Sequence, residues 1–494
     1  MLRLTGMRLA PIRKQNLTRE LIKKLRIPEK ALKTYTIRLE RVVDNQFEYI
    51  IDLEVAPTYS DVLLEKREGL SRVPPRVMGR EATAKKVLKN PPIIVGSSPA
   101  GLLAAFHLAR RGMAPLLLEE GPPWEERTEC ELGPAYFPRP PLDDYPGEKA
   151  VEYFLEKGAP PETAYRPGLN LEPLIWKTIA PAMVQEIEKA GGRVYYQAAL
   201  QDLLLEGKKV QGVRSARGTF NSSLIIIDGK MLDLKLYQLL INRGINLQSQ
   251  DLALGVRLIH PQTIIDRARY GQRHEQLGLP PAGYELSLRF PGEGRNIFTY
   301  RVIPRGRVLC CPSGAGGLFI SAKPAASSIC TGTIALSWSG GDWGQEALAG
   351  ARYLHDLEKK MLQIAGGPEK IPAQRLRDFV SNRPGPSPQG DLAWVRDPRL
   401  FSFDLNRILP PDFFRLLLGA MPIFSRQLQG FNCDQALIAG LETRIKSPVV
   451  ASCNISDLFF AGALAGAAGN TGALARSGIA TAQRIINNFK LERG

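Results

Sequence analysis

Gly96-Ser97-Ser98-Pro99-Ala100-Gly101 follows the apolar triplet Ile93-Ile94-Val95 and precedes an apolar stretch, Leu102 to Arg111, stopped by Gly112. A pyrophosphate binds where backbone N–H groups converge at a helix N-terminus, which requires a turn too tight for most side chains. Gly96 and Gly101 hold the first and last positions of such a turn. Ser98 stands where a middle glycine would let the backbone approach the phosphates: its hydroxyl can donate to phosphate, or its Cβ can crowd it. Pro115 to Glu119 reads as the next strand. Glu119, eighteen residues after Gly101, is spaced to accept both ribose hydroxyls of a dinucleotide. The other reading is an ordinary βαβ unit whose two glycines serve only close strand-to-helix packing.

No further constellation competes with this one. Four scattered histidines and six cysteines without C-x-x-C spacing predict no metal site, a reducing compartment and free thiols. Cys310 and Cys311, adjacent on a strand, point to opposite faces and read as structural. His260 precedes Pro261, which imposes an extended backbone, and a structural role is expected there rather than general-base catalysis. The catalytic residues stay unknown.

The elements around the turn follow from periodicity. Leu2 to Leu9 reads as a strand, Leu17 to Leu25 as an amphipathic helix, and Thr34 to Val43 and Phe47 to Val55 as two hairpin-linked strands, together a small β-α-β-β unit. Ser60 to Asn90 is charged and reads as a linker or peripheral helix. Arg193 to Gln197, Leu203 to Glu206, Val210 to Arg214 and Leu224 to Ile227 predict an antiparallel meander returning to a buried strand. A mostly β region follows to about Pro411. Asp457 to Ala461 is a further buried strand, and Gly472 to Asn488 a final helix.

The chain has 494 residues, 44% hydrophobic and 23% charged, enough for two to four globular domains and inconsistent with disorder or a disulfide mini-protein. Its longest nearly apolar run, Leu458 to Gly469, falls short of the roughly 20 residues of a membrane span. Met1 to Ile12 shows no signal-peptide pattern, and a cytoplasmic protein is expected. The net charge is +16, and Met1 to Arg41, with twelve Lys/Arg and three Glu, carries +9 of it. That arm reads as a solvated or docking face, with nucleic acid the less favoured partner because no stacking pattern of aromatics accompanies it.

The stretch Ile93 to Gly121, the segment Gly255-Val256-Arg257-Leu258-Ile259-His260-Pro261-Gln262, Pro372-Ala373-Gln374 with Asn382-Arg383-Pro384, and Leu441-Glu442-Thr443-Arg444 recur in order along nearly the whole chain. In these the sequence resembles the bacterial FAD-dependent dehydrogenases, two-dinucleotide-binding-fold flavoproteins with a small ferredoxin-like N-terminal domain, as a divergent member. The resemblance implies an α/β fold: a ferredoxin-like α+β domain (1–75), a linker (76–90), a Rossmann-like FAD-binding domain (91–254 and 426–494) and an inserted, mostly β substrate or cap domain (255–425).

It also implies FAD, with NAD(P)H or a substrate as electron donor, and hydride transfer through flavin N5 on an unknown substrate. Gly96, Ser97, Ser98, Pro99, Ala100 and Gly101 would face the pyrophosphate and Glu119 the adenosine ribose. Gly462, Gly466, Gly469 and Gly472 would approach the flavin, with the final helix dipole favouring its reduced, negative form. Arg383 and Arg444 are candidate anchors for an anionic substrate or the phosphate. The chain departs from the family's pattern at Ser98, at Ala463, which replaces an acid, and at Asp228 in Ile227-Asp228-Gly229, where Ala-Thr-Gly is usual. It also departs in a glycine-rich segment missing after Glu126-Arg127-Thr128. These losses keep open a second reading, a non-catalytic module on the same fold that binds protein or nucleic acid through its basic N-terminal domain.

Overall fold

Alternation of apolar residues builds the first sheet. Leu2, Leu4, Met7 and Leu9 are all buried although the alternation skips a residue. A register shift between Leu4 and Met7, with Gly6 at φ 68°, absorbs the extra residue and keeps the four side chains on one face. The computed structural model describes residues 1–73, 86–128, 148–165, 171, 173–229, 233–272, 274–313, 316–343, 346–383, 395, 397–445, 448–467 and 471–492. Most of the expected linker, the proline-rich stretch Pro134 to Pro146, Gly469 and the side chain of Arg444 lie outside the described residues.

The strand Leu2–Leu9 is central, flanked by Gln46–Val55 and Leu70–Arg72, with Leu32–Val43 at the far edge. Leu17, Leu21 and Leu25 of the helix Leu17–Leu25 bury against this sheet. The helix Pro57–Lys66 and the strand Leu70–Arg72 complete a ferredoxin-like β-α-β-β-α-β unit, so the charged stretch after Ser60 begins as helix, one of its two readings, and adds an edge strand.

The second sheet is parallel throughout, in the order Leu458–Ala461, Ile225–Asp228, Ile93–Val95, Leu116–Leu118, Arg193–Tyr195. Its strands are short and apolar on both faces because both faces are covered. The helices Pro99–Ala109 and Thr471–Asn488 pack on one face, and a three-stranded antiparallel layer (Leu200–Glu206, Lys209–Ser215, Gly218–Asn221) on the other. Arg193–Tyr195 pairs with Leu116–Leu118 and lies outside the meander, whose third strand is Gly218–Asn221. The chain leaves Ile93–Val95 toward Leu116 on one side and reaches Ile225 on the other. The point where strand order reverses therefore falls between Ile93–Val95 and Ile225–Asp228, and ligands of open α/β sheets bind outside the carboxyl ends at such a point.

The third sheet has seven strands, centred on Leu252–Pro261, every residue of which is buried. Ile329–Trp338 and Leu437–Ile445 flank that strand, and the helices Ala349–Ala365 and Pro411–Gln427 supply much of the core beside it. Leu437–Ile445 lies beyond the limit expected at 425, yet it hydrogen-bonds to the middle of this sheet.

Candidate functional site

Carboxyl ends of parallel strands meet at the reversal point, and the expected residues Gly96, Ser98, Pro99, Ala100, Gly101 and Gly462 meet there too. Gly96 ends its strand at φ 94°, and a Cβ on it would lie 2.1 Å from the Asp228 carbonyl oxygen. A Cβ on Gly101 would lie 2.1 Å from the Gly96 carbonyl oxygen and 2.7 Å from Asp228 Oδ2, so the turn closes only with glycine at both ends. Gly462 arrives from the strand Leu458–Ala461 at φ 63°, its Cβ position 2.5 Å from Asp228 Oδ1. The helix begins at Pro99 rather than Leu102: Pro99 sets the first helical φ, and the Ser98 hydroxyl accepts from the Ala100 amide at 3.2 Å.

Asp228 fills the centre of this arrangement. It is 2% exposed, and Oδ2 accepts from the Gly101 amide at 2.8 Å, while Oδ1 is buried without a hydrogen-bond partner. Burial pushes its carboxyl up to about 7, against the opposing pull of the Ser98 hydroxyl and the Gly101 and Ser98 amides. Among the described residues no cation pairs with it.

Glu119 stands at the end of its strand with both oxygens engaged. Oε2 accepts from the Ser97 amide at 2.9 Å and the Ser97 hydroxyl at 2.5 Å, and Oε1 from the Gly121 amide at 2.6 Å. Arg127 Nη2 lies 3.5 Å from Oε1 and donates to Ser97 Oγ at 3.1 Å. The guanidinium stacks 4.1 Å above the Trp124 ring, which in turn stacks on Trp176. Arg127 is the site residue that spacing missed. Its only signal is its place in Glu126-Arg127-Thr128.

The turn has dinucleotide geometry: two obligatory glycines, a helix N-terminus, and an acid at the next strand end. Its donors are nonetheless committed. The Gly96 amide goes to the Leu118 carbonyl, Ser97 to Glu119, Ala100 to Ser98 Oγ, Gly101 to Asp228 and Leu102 to the Ser98 carbonyl. Pro99 has none. A pyrophosphate therefore fits here only with the Asp228 carboxyl moved off the Gly101 amide.

The remaining expected residues are dispersed. Gly466 is exposed at φ 80°, Gly472 is buried in the final helix, and Arg383 is exposed just past the helix Leu376–Val380. Surface concavities of about 490 Å³, beside Lys157 and Glu186, and about 370 Å³, beside Arg267 and Gln429, do not border the turn. Among the described residues no His, Cys, Asp and Glu cluster could hold a metal ion, and no helix is long and apolar enough to cross a membrane. His260 is buried with Nε2 on the Phe431 carbonyl at 2.8 Å, and burial lowers it to about 4. The expectation of free thiols holds for Cys310, Cys330, Cys433 and Cys453, whereas Cys311 is disulfide-bonded.

An uncharacterized protein of Clostridium beijerinckii is 25% identical over 444 residues, 82% of either chain. A thiamine thiazole synthase of Aeropyrum pernix is 30% identical over 144 residues, 27% of this chain, which spans 47% of that protein's length. The structure of L-proline dehydrogenase from P. horikoshii aligns at 10% identity over 82% of this chain and 94% of its own, with a TM-score of 0.36. Residues 251–445, the seven-stranded sheet with its helices, match the family described as FAD-dependent protein, C-terminal domain-like.

Proposed function

We propose that the chain is an FAD-dependent oxidoreductase that binds its flavin non-covalently across the Gly96–Gly101 turn. The observation that carries this reading is the joint presence, in one chain, of a domain of FAD-dependent proteins at 251–445 and a parallel sheet whose reversal point holds a glycine turn and Glu119. When bound, the flavin supplies hydride transfer at N5, with a nicotinamide or the substrate itself as donor. The chain's own residues orient it: the turn takes the pyrophosphate once the Asp228 carboxyl, still buried beside it, releases the Gly101 amide, Glu119 takes the ribose by exchanging the Ser97 hydroxyl for a ribose hydroxyl, and Gly462 leaves backbone room beside the turn. Purified protein titrated with FAD tests this. Flavin absorbance that co-elutes with the protein is expected, and protein that stays colourless after incubation with FAD at every pH from 5.5 to 8.5 overturns it.

One observation favours a second reading, a non-catalytic module on the same fold: the amides of Gly96, Ser97, Ala100, Gly101 and Leu102 already have protein acceptors. Its binding face would be the helix Leu17–Leu25 and its C-terminal extension, where Arg19, Lys23, Lys24, Arg26 and Lys30 are exposed. Much of the remaining basic arm is neutralised within the domain, as in Arg3 and Arg38 on Asp52, Lys14 on Glu40, and Arg8 and Arg41 on Glu48. Retention on a polyanion that Lys23→Glu with Lys24→Glu abolishes, in a protein that ignores FAD, would select this reading.

A further inference from the structure

A buried carboxylate with one oxygen on a helix amide and the other on nothing copies two features of a bound phosphate, negative charge and acceptor oxygens. We infer that the carboxylate of Asp228 is an internal occupant of the pyrophosphate place, so that FAD and Asp228 compete for the same amides and each FAD bound is coupled to one proton taken up at this carboxyl. The inference rests on the FAD reading above and adds what governs occupancy.

The competition is geometric first. Asp228 Oδ2 holds the Gly101 amide at 2.8 Å in the first turn of the helix Pro99–Ala109, the kind of donor a phosphate oxygen would use. Oδ1 points at Gly462, where even a methyl group would collide at 2.5 Å, and finds no donor. One oxygen is thus satisfied and the other pays desolvation without return, a position easily given up to a ligand that satisfies both.

The electrostatics set the direction. The strands Ile93–Val95 and Leu458–Ala461, the turn Gly462–Ala465 and the helix start Pro99 to Leu102 carry no titratable side chain. Glu119, across Ser97, is the charged neighbour, and its like charge raises Asp228 further after desolvation has done most of the work. A phosphate diester brought to the same place would add another negative charge beside this carboxylate, so the bound state favours the neutral acid more than the free state does. Lower pH therefore favours FAD.

The test measures FAD affinity by flavin fluorescence and by calorimetry from pH 5.5 to 8.5 for the full chain and for Asp228→Asn. Asp228→Ala is a second variant should the amide misfold, and circular dichroism checks that each folds. Wild-type Kd is expected to rise toward tenfold per pH unit above about 7. Asp228→Asn is expected to bind at least tenfold tighter at pH 8, with a nearly flat pH profile. Equal, pH-independent binding by all three proteins overturns the competition while the FAD reading stands. Absence of binding by all three at pH 5.5 overturns both.

Discussion

Arg257 and Glu442 form an ion pair on adjacent strands of the seven-stranded sheet with neither side chain exposed. Thr333 donates to Glu442 Oε2 at 2.5 Å, and Arg257 Nη1 donates to the Arg301 carbonyl at 3.0 Å, so hydrogen bonds tie the pair to two further strands of the sheet. Both residues lie in stretches that resemble the flavoprotein family, yet the geometry makes them part of the sheet's interior rather than of the glycine turn. Removing one partner strands a charge in a dry core. Arg257→Leu is expected to cost roughly 3–5 kcal/mol in urea unfolding, and Arg257→Leu with Glu442→Leu to recover much of that loss.

Gly96 and Gly112 share a positive φ but not a crowded surrounding. Alanine at Gly112 meets nothing within 4 Å and pays only the left-handed backbone, about 1–2 kcal/mol. Gly96→Ala adds a collision at 2.1 Å with the Asp228 carbonyl, which is backbone and cannot swing aside. A melting temperature that falls much further for Gly96→Ala than for Gly112→Ala is the expected result.

Glu119 collects three strong hydrogen bonds and one cation, so its role without any ligand is structural. Glu119→Gln presents one acceptor where two are used and turns an NH₂ group toward donors. The cost expected from chemical denaturation is about 2 kcal/mol, within the range for orphaned buried donors.

The pH dependence of stability carries two opposed contributions. His260 is depressed from 6.5 to about 4, so its share of stability is full above 6.5 and is lost as pH falls through 4. That share is at most about 3 kcal/mol at 1.36 kcal/mol per unit. Asp228 is raised from 3.8 to about 7, so its share is full below 3.8 and is lost as pH rises through 7, at most about 4 kcal/mol. Asp228→Asn should therefore steepen the acid-side loss between pH 6.5 and 4, and His260→Gln should leave a protein that weakens as pH rises through that interval. Unfolding midpoints measured at half-unit steps would show a change of slope in opposite directions, and parallel profiles for both variants would refute the assignment.

Local periodicity made Leu2–Leu9 and Leu17–Leu25 legible, because each carries its burial in its own spacing. The helix Pro57–Lys66 and the strand Leu70–Arg72 were not. Charged residues such as Glu65, Lys66 and Glu68 hide the pattern, and the strand exists only through pairing with Leu2 to Leu4. Arg193–Tyr195 was recognisable as a strand but not as a parallel partner of Leu116–Leu118, since three residues say nothing of what they pair with. At the site, the glycine turn is local and readable. The contact that fills it joins residues 127 apart, and the Ser97–Glu119–Arg127 cluster depends on side-chain directions that spacing does not encode.

The closing helix Thr471–Asn488 approaches Pro99–Ala109 so closely that a Cβ on Gly478 would lie 2.0 Å from the Ala100 carbonyl oxygen. A ribosome makes the glycine turn long before this cover. For nearly four hundred codons the nascent chain holds a helical surface, Leu102 to Leu108, apolar except for His107, with nothing from the helix Thr471–Asn488 to shield it. A message cut short before Gly478 would thus release a polypeptide that keeps its N-terminal ferredoxin-like unit but exposes the ridge that chaperones and proteases recognise.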